Sequence, residues 1–270
     1  MKIMINGDEL DYDVDGESYR SPDNLRYVDL DDDLTRDTHW HQHGFTVGRL
    51  FGSVTYEKFK IGITGLLKNL IQIALPDVEG PICLETYHEL IKNNYQAHLE
   101  VISNTKLVDA NHFPIPFEEI ENRVSEICGV QLHSKKPFNN ERVFHFRIIR
   151  PQCSDFNPLH KDVWQEENRN AINIYVPLVG SDQKSSLILA PGSHLLPENT
   201  FTRTKQGAVM NNLKFNVPGL LDAAKELTFI RPNPGQNEVL VFSPYLIHGG
   251  AMNLNESSTR ISLEMRFWRK

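Results

Sequence analysis

Cysteine is scarce: Cys83, Cys128 and Cys153 are an odd number, lie far apart and form no CxxC pair. That excludes a disulfide framework and a zinc knuckle, and a reducing cytoplasm is the expected setting. Long apolar runs are also missing. The longest nearly apolar stretch, Ile61 to Leu75, is broken by Lys68, Asn69 and Gln72, and Met1 to Leu10 has no apolar core of signal-peptide length. Neither a membrane span nor an export signal is expected. Nor is there an excess of basic charge, since 28 Lys+Arg stand against 35 Asp+Glu, for a net charge of −7. Residues 1–40 hold 12 acidic and 4 basic side chains, leaving 23 against 24 in the other 230 residues. No basic face of the kind a phosphate backbone requires is visible, so nucleic acid is disfavoured as a partner. The acidic stretch Asp8 to Asp37 reads as a solvated strap over the surface.

What is present is an ordinary globular composition, 40% hydrophobic and 23% charged, with no repeat and no linker. The expectation is one domain over residues 1–270. Its front part, 1–142, reads as the acidic strap and a mainly helical buttress. From Tyr56 to Ala74, apolar residues recur at three- and four-residue steps until Pro76; a second such pattern runs from Leu84 to Ile102. A third begins at Pro116, carries Phe117, Ile120, Val124 and Ile127 on one stripe, and stops at Gly129. After residue 142 the period becomes two, over Val143–Ile149, Ala171–Leu178, Ser186–Ala190, Glu238–Phe242 and Arg260–Trp268. Turn signals separate these runs, so residues 143–270 are expected to form an antiparallel β sandwich or barrel.

Each strand has two chemically distinct faces. His145 and Arg147 oppose Phe144, Phe146 and Ile148; Asn173 and Tyr175 oppose Ile172, Ile174 and Val176. On the last strand Arg260, Ser262, Glu264 and Arg266 oppose Ile261, Leu263, Met265 and Phe267. The polar face could simply meet water. Alternatively, it lines a cavity while the helices cover the apolar face. The histidines favour the cavity. His160 is followed two residues later by Asp162, and His248 follows an apolar strand and precedes Gly249-Gly250, where missing side chains leave room. Two imidazoles and one carboxylate on one side of a divalent ion leave neighbouring positions open, as oxygen chemistry needs. A closed zinc site would need a fourth ligand, for which Cys153 is the candidate. Arg260 and Ser262 share a face, and a guanidinium beside a hydroxyl suits a small dicarboxylate.

The order His160-Lys161-Asp162, the strand Ile172 to Val176, Ser186 through Pro191-Gly192-Ser193-His194, then Phe242 through His248 to Asn253, and Arg260 with Ser262 resembles the Fe(II)/2-oxoglutarate-dependent oxygenases, in particular their phytanoyl-CoA hydroxylase-like branch. The resemblance covers Val143 to Trp268. It implies a double-stranded β-helix, a cupin-like jelly roll, with Fe(II) on His160, Asp162 and His248. It further implies 2-oxoglutarate on Arg260 and Ser262, with O2 as co-reactant, succinate as product and a small organic molecule as the substrate to be hydroxylated. Related halogenases carry a small residue where Asp162 stands, so the carboxylate favours hydroxylation. Asn173 is the expected further cosubstrate contact, and Arg147, Trp164 and Tyr175 are substrate-side candidates. The rivals are a cupin-like metal isomerase or epimerase without redox chemistry, and a non-catalytic barrel that only binds.

Other features read as structural. His39, His41 and His43 alternate as same-side ligands on a strand would, but an edge strand or lid explains them equally. His194 reads as a supporting residue of the turn, and Cys153 has no oriented partner for thiol catalysis. Residues 195–227 lack a clear period and are expected to be a substrate-facing insertion, with Arg203, Lys205 and Lys214 as possible anion contacts. The sequence specifies neither the substrate nor the oligomeric state.

Overall fold

The computed structural model describes residues 2–92, 94–153 and 155–270. The shift of apolar period near residue 142 marks the passage from helix to sheet. Ser53–Ala74 and Phe117–Cys128 are helices, the second ending at Gly129, whose φ of 69° is the left-handed conformation that closes a helix without a Cβ penalty. The pattern from Leu84 to Ile102 is two helices rather than one, Tyr87–Leu90 and Tyr95–Thr105. Asn94 starts the longer one, its side chain accepting from the Ala97 amide at 3.0 Å.

The expectation of a helical front half needs correcting, because the first fifty residues are mainly strands and turns. Lys2–Ile5 and Asp8–Asp11 form a hairpin around Asn6-Gly7, both at positive φ (53° and 95°) as its tight turn requires. Part of the acidic strap is thus woven into a sheet, Ser18–Arg20 pairing with Phe201–Thr204, and beyond the strap Phe45–Arg49 pairs with Glu238–Phe242. Short strands such as these give little periodic signal, and their partners lie about 190 residues away in the chain.

The main sheet is antiparallel, in the order Phe45–Arg49, Glu238–Phe242, Ala171–Val179, Arg260–Arg269. Phe144–Ile149 and Leu132–His133 both pair with that last strand. Its apolar face, including Ile148, Ile174, Val241, Leu263 and Phe267, packs on Phe59, Ile63, Leu67, Ile120 and Val124 of the helices in one continuous core. A second layer is assembled from shorter pieces. Ile188–Leu189 pairs with His248–Gly249, His248 bridges to His160, and the Leu220 amide donates to Leu159 O at 2.7 Å, joining Leu220–Ala223, Phe201–Thr204 and Ser18–Arg20. Tyr175, Leu240 and Phe242 of the main sheet meet Leu189, Phe201, Leu220 and Ile247 of this layer in a second core. The result is a mainly β, jelly-roll-like pair of layers with helices against one outer face.

Residues 195–227 also depart from expectation. They contain the strands Phe201–Thr204, Ala208–Met210, Leu213–Phe215 and Leu220–Ala223, too short to show a period. No helix among the described residues is long and apolar enough to cross a membrane.

Candidate metal centre

Between the layers opens a cavity of about 570 Å³, lined by the polar face of the main sheet. His145, Arg147, Asn173, Arg260, Glu264 and Arg266 all line it, together with His160, Asp162 and His248. The geometry therefore favours the cavity over the solvated face. Cross-strand register explains the grouping: Asn173 lies opposite Arg266, Arg147 opposite Ser262, and Glu264 opposite both His145 and Tyr175.

Two chain segments bring the imidazoles together. The backbones of His160 and His248 exchange two hydrogen bonds, at 2.8 and 2.9 Å, and the rings lie 4.4 Å apart. In each ring the Nδ1 side is committed to a carbonyl, Pro158 O at 2.7 Å and Leu246 O at 3.0 Å. With Nδ1–H donating there, Nε2 presents its lone pair inward, which is the tautomer a metal ligand needs. Asp162 stands two residues beyond His160, its carboxylate 3.5 Å from His160 Nε2 and 3.7 Å from His248 Nε2. Among the described residues, these three are the one group of His, Cys, Asp and Glu side chains close enough to share an ion, with ligand atoms within 4.8 Å of one another. Gly249 protects this arrangement, because with φ at 113° a Cβ there would sit 2.5 Å from Pro158 O and 3.1 Å from His160 Nδ1.

The intervening Lys161 points to the other side. Fully buried, its Nζ donates to Glu198 Oε1 at 2.6 Å and sits 4.1 Å from the centre of the Phe201 ring. Burial lowers its pKa while Glu198 opposes the shift. This pair anchors the segment from behind, leaving its neighbours free to face the cavity.

Asp162 is held by more than the histidines. Arg266 donates from Nη2 to Oδ1 at 2.7 Å and from Nε to Oδ2 at 3.3 Å, and Asn173 Nδ2 donates to Oδ2 at 2.7 Å. Burial would raise the carboxyl, but Arg266 foremost, then His248 and His160, hold it well below the usual carboxylate range. It is therefore an anion at neutral pH. His248 is pushed down to about 4 by burial and by the neighbouring His160, so its imidazole is neutral. An anionic oxygen and imidazole nitrogens are a donor set suited to a divalent transition metal.

At the inner end of the same cavity Arg260 is 1% exposed, and its Nη1 donates to Ser262 Oγ at 2.9 Å. Its Nε has no partner, and no carboxylate lies within ion-pair distance of it among the described residues. Asn173 Oδ1 is likewise buried without a partner. A buried cation and unmatched polar atoms are costly alone, and an anion with spare acceptors would satisfy them. The donor set thus fits a small carboxylate beside a metal.

The remaining expected residues divide. Arg147 lines the cavity and pairs with Glu264 at 3.0 Å. Trp164 and Tyr175 do not line it: Trp164 Nε1 donates to Glu198 Oε2 at 3.0 Å, and Tyr175 is packed under Arg260 with its hydroxyl on Ser181. His39, His41 and His43 lie in a run of turns rather than on a strand. His194 is buried, with Nε2 on His41 O at 2.7 Å. Of residues 195–227, Asn216 and Val217 reach the cavity; Arg203 instead stacks over Tyr19 and Trp164, and Lys205 pairs with Glu17. Alternation puts Arg266 on the inward face but assigns it no task, and its register opposite Asn173 reveals one. Arg231 carries no local sequence signal: buried near Arg260, it donates to Ser186 O and Met252 O, and burial and Arg260 lower its pKa to about 10.

The fold and site define a mainly β, jelly-roll-like protein with a buried His160/Asp162/His248 group, close enough to share an ion, in the cavity between its layers. Solved structures similar to it include the non-heme alpha ketoglutarate dependent epimerase SnoN from nogalamycin biosynthesis, 11% identical, with a TM-score of 0.47 over 86% of this chain and 80% of that one. EctD from S. alaskensis, solved with 2-oxoglutarate and 5-hydroxyectoine, is 11% identical, with a TM-score of 0.46 over 95% and 84%. AviO1 from Streptomyces viridochromogenes Tue57 is 16% identical, with a TM-score of 0.45 over 92% and 96%. No protein-family model and no curated protein matches the chain.

Proposed function

We propose that this protein is an Fe(II)- and 2-oxoglutarate-dependent oxygenase that hydroxylates a small organic molecule. One observation carries the reading: a buried His160/Asp162/His248 cluster shares a cavity with Arg260, a buried guanidinium with no carboxylate partner among the described residues. His160 and His248 would supply Nε2 and Asp162 one oxygen. Bound there, Fe(II) and 2-oxoglutarate would supply O2 activation coupled to oxidative decarboxylation to succinate and CO2, inserting one oxygen atom into a C–H bond of the substrate. Arg260, steadied by Ser262, would hold the far carboxylate of 2-oxoglutarate, and Asn173, whose Nδ2 donates to Asp162, would contact its metal-proximal end. Arg266 and Asn173 would keep Asp162 ionised and aimed. His160, Asp162, His248 and Arg260 are buried, which strengthens each of these charge interactions.

A metal isomerase or epimerase using the same triad without redox chemistry is the second reading. The buried Arg260/Ser262 pair argues against it, since such chemistry needs no dicarboxylate clamp. The test is anaerobic titration of the purified protein with Fe(II) and then 2-oxoglutarate, read by calorimetry and by the visible charge-transfer band of the ternary complex. Arg260→Ala should weaken 2-oxoglutarate by roughly tenfold to a hundredfold, the worth of a charge-assisted hydrogen-bonded pair, while metal affinity stays unchanged. Full metal affinity in Asp162→Ala or His160→Ala would refute the ligand assignment. Unaltered 2-oxoglutarate binding in Arg260→Ala would leave the isomerase reading in place.

A further inference from the structure

The cavity carries the opposite charge balance from the chain as a whole. The protein's net charge is −7, yet six cations line this one space, Lys106, Lys136, Arg142, Arg147, Arg260 and Arg266. Four acids line it as well, and each is already matched. Arg266 lies 2.7 Å from Asp162, Arg147 3.0 Å from Glu264, Arg150 2.7 Å from Asp155 and Lys136 3.9 Å from Glu167. Three cations therefore face the cavity without an acid lining it to answer them: Arg260, Arg142 and Lys106. Arg260 is accounted for by the cosubstrate. Lys106 has no side-chain partner among the described residues, and the carboxylate nearest Arg142 is that of Glu118, an exposed side chain at 4.0 Å.

Arg142 is also held in place. Its Nε donates to Ser134 Oγ at 3.1 Å, and its guanidinium carbon sits 4.8 Å over the Phe117 ring. The Ser134 hydroxyl is itself oriented, donating at 2.7 Å to Glu121, a buried glutamate on the helix Phe117–Cys128 that also accepts from the Ser134 amide at 2.9 Å. A guanidinium fixed at Nε and on one face keeps Nη1 for a ligand, with Nη2 restrained only by the 4.0 Å approach of the exposed Glu118. Such a pre-oriented fork loses little entropy on binding an oxyanion.

We propose, resting on the oxygenase reading above, that the molecule oxidised in this cavity is an anion. Its carboxylate or phosphate is held by Arg142 with help from Lys106, while the rest of it extends toward the His160/Asp162/His248 centre. Carboxylate and phosphate offer the same oxygen pair to the fork, and the experiment separates them.

The test is calorimetric titration of the protein loaded with Mn(II) and 2-oxoglutarate, so that Arg260 is occupied, using hexanoate, inorganic phosphate and the neutral isostere hexanamide as probes. At least one anion is expected to bind about tenfold or more tighter than hexanamide, the worth of one charge-assisted pairing. Whether hexanoate or phosphate leads tells which anion the site takes. Arg142→Gln should cost about tenfold in anion affinity, Lys106→Gln about threefold, and Arg142→Lys should recover part of the loss. Mn(II) and 2-oxoglutarate affinities should be unchanged in all three variants. Lys106 is exposed, so its variant reports even if replacing Arg142 loosens the fold. Neither anion binding tighter than hexanamide, or full anion affinity in folded Arg142→Gln, would overturn the proposal. If wild type failed to bind Mn(II) and 2-oxoglutarate but still took up hexanoate through Arg142, the oxygenase reading would fall and the anion site would stand.

Discussion

Replacing Arg266 with methionine separates the structural role of the Asp162 clamp from its role toward a metal. Asp162 is 2% exposed and takes two hydrogen bonds from Arg266, at 2.7 and 3.3 Å, and one from Asn173 at 2.7 Å. Arg266→Met would leave a buried carboxylate with Asn173 and the two imidazoles as its polar neighbours. Breaking a buried ion pair from one side costs about 3–5 kcal/mol, and because the Arg266 side chain is 20% exposed the lower figure of ~3 kcal/mol is expected here. For a chain of this size that lowers the metal-free unfolding midpoint by roughly 6–12 °C. A divalent cation supplies the countercharge that Arg266 gave. Saturating Mn(II) should therefore raise the midpoint more in Arg266→Met than in wild type, narrowing the gap between them. The assay is thermal unfolding followed by circular dichroism, with and without Mn(II), for wild type, Arg266→Met and Arg266→Lys. A gap unchanged by Mn(II) would refute the claim that guanidinium and metal neutralise the same carboxylate, and an unshifted metal-free midpoint would show that the clamp contributes nothing.

Three further outcomes follow from the packing. Lys161→Met strands the Glu198 carboxylate, so urea unfolding should show a loss of about 3 kcal/mol, partly recovered in Lys161→Met/Glu198→Gln; no recovery would mean the loss is one of packing. In the helix Ser53–Ala74, a Cβ on Gly62 would lie 2.1 Å from Pro114 Cβ, whereas one on Gly65 meets nothing within 4 Å. Gly62→Ala should destabilise by about 1–3 kcal/mol and Gly65→Ala should stabilise by up to ~1 kcal/mol, with equal effects counting against the contact. His98, His194 and His248 are each held near 4 by burial, below the usual 6.5, so the fold keeps them neutral. Between pH 6.5 and 4 the unfolded chain binds protons that the folded chain does not, and stability falls as acid is added. The slope reaches at most ~1.4 kcal/mol per pH unit for each histidine, these three contribute none above pH 6.5, and a midpoint flat from pH 6.5 to 5 would contradict their burial.

Much of the architecture is local in origin and could be read directly. Three- and four-residue spacing marks the helices Ser53–Ala74 and Phe117–Cys128, and two-residue alternation marks Phe144–Ile149, Ala171–Val179 and Arg260–Arg269. Alternation also assigns a face to every side chain on a strand, so Asn173, Arg260 and Arg266 could be placed on one side of the sheet before any strand was paired. The HxD spacing, with glycines after His248, named three ligand candidates for the same reason.

What alternation lacks is register and partner, and there the tertiary structure decided. That Asn173 sits across from Arg266 and that both grip Asp162 follows from strand pairing between residues about ninety apart, which no short window contains. Ser18–Arg20, Phe45–Arg49 and Phe201–Thr204 are too short to carry a period and exist because distant partners complete them. Tyr175 shows the converse limit, since facing inward did not bring it to the cavity once the second layer closed over it. Arg142 became a ligand candidate only through a serine, a glutamate and an aromatic ring that folding assembles around it. Sequence sets which chemistry each local segment presents and on which side, because those depend on neighbours along the chain; which groups share a charge, an ion or a cavity depends on distances that only long-range packing creates.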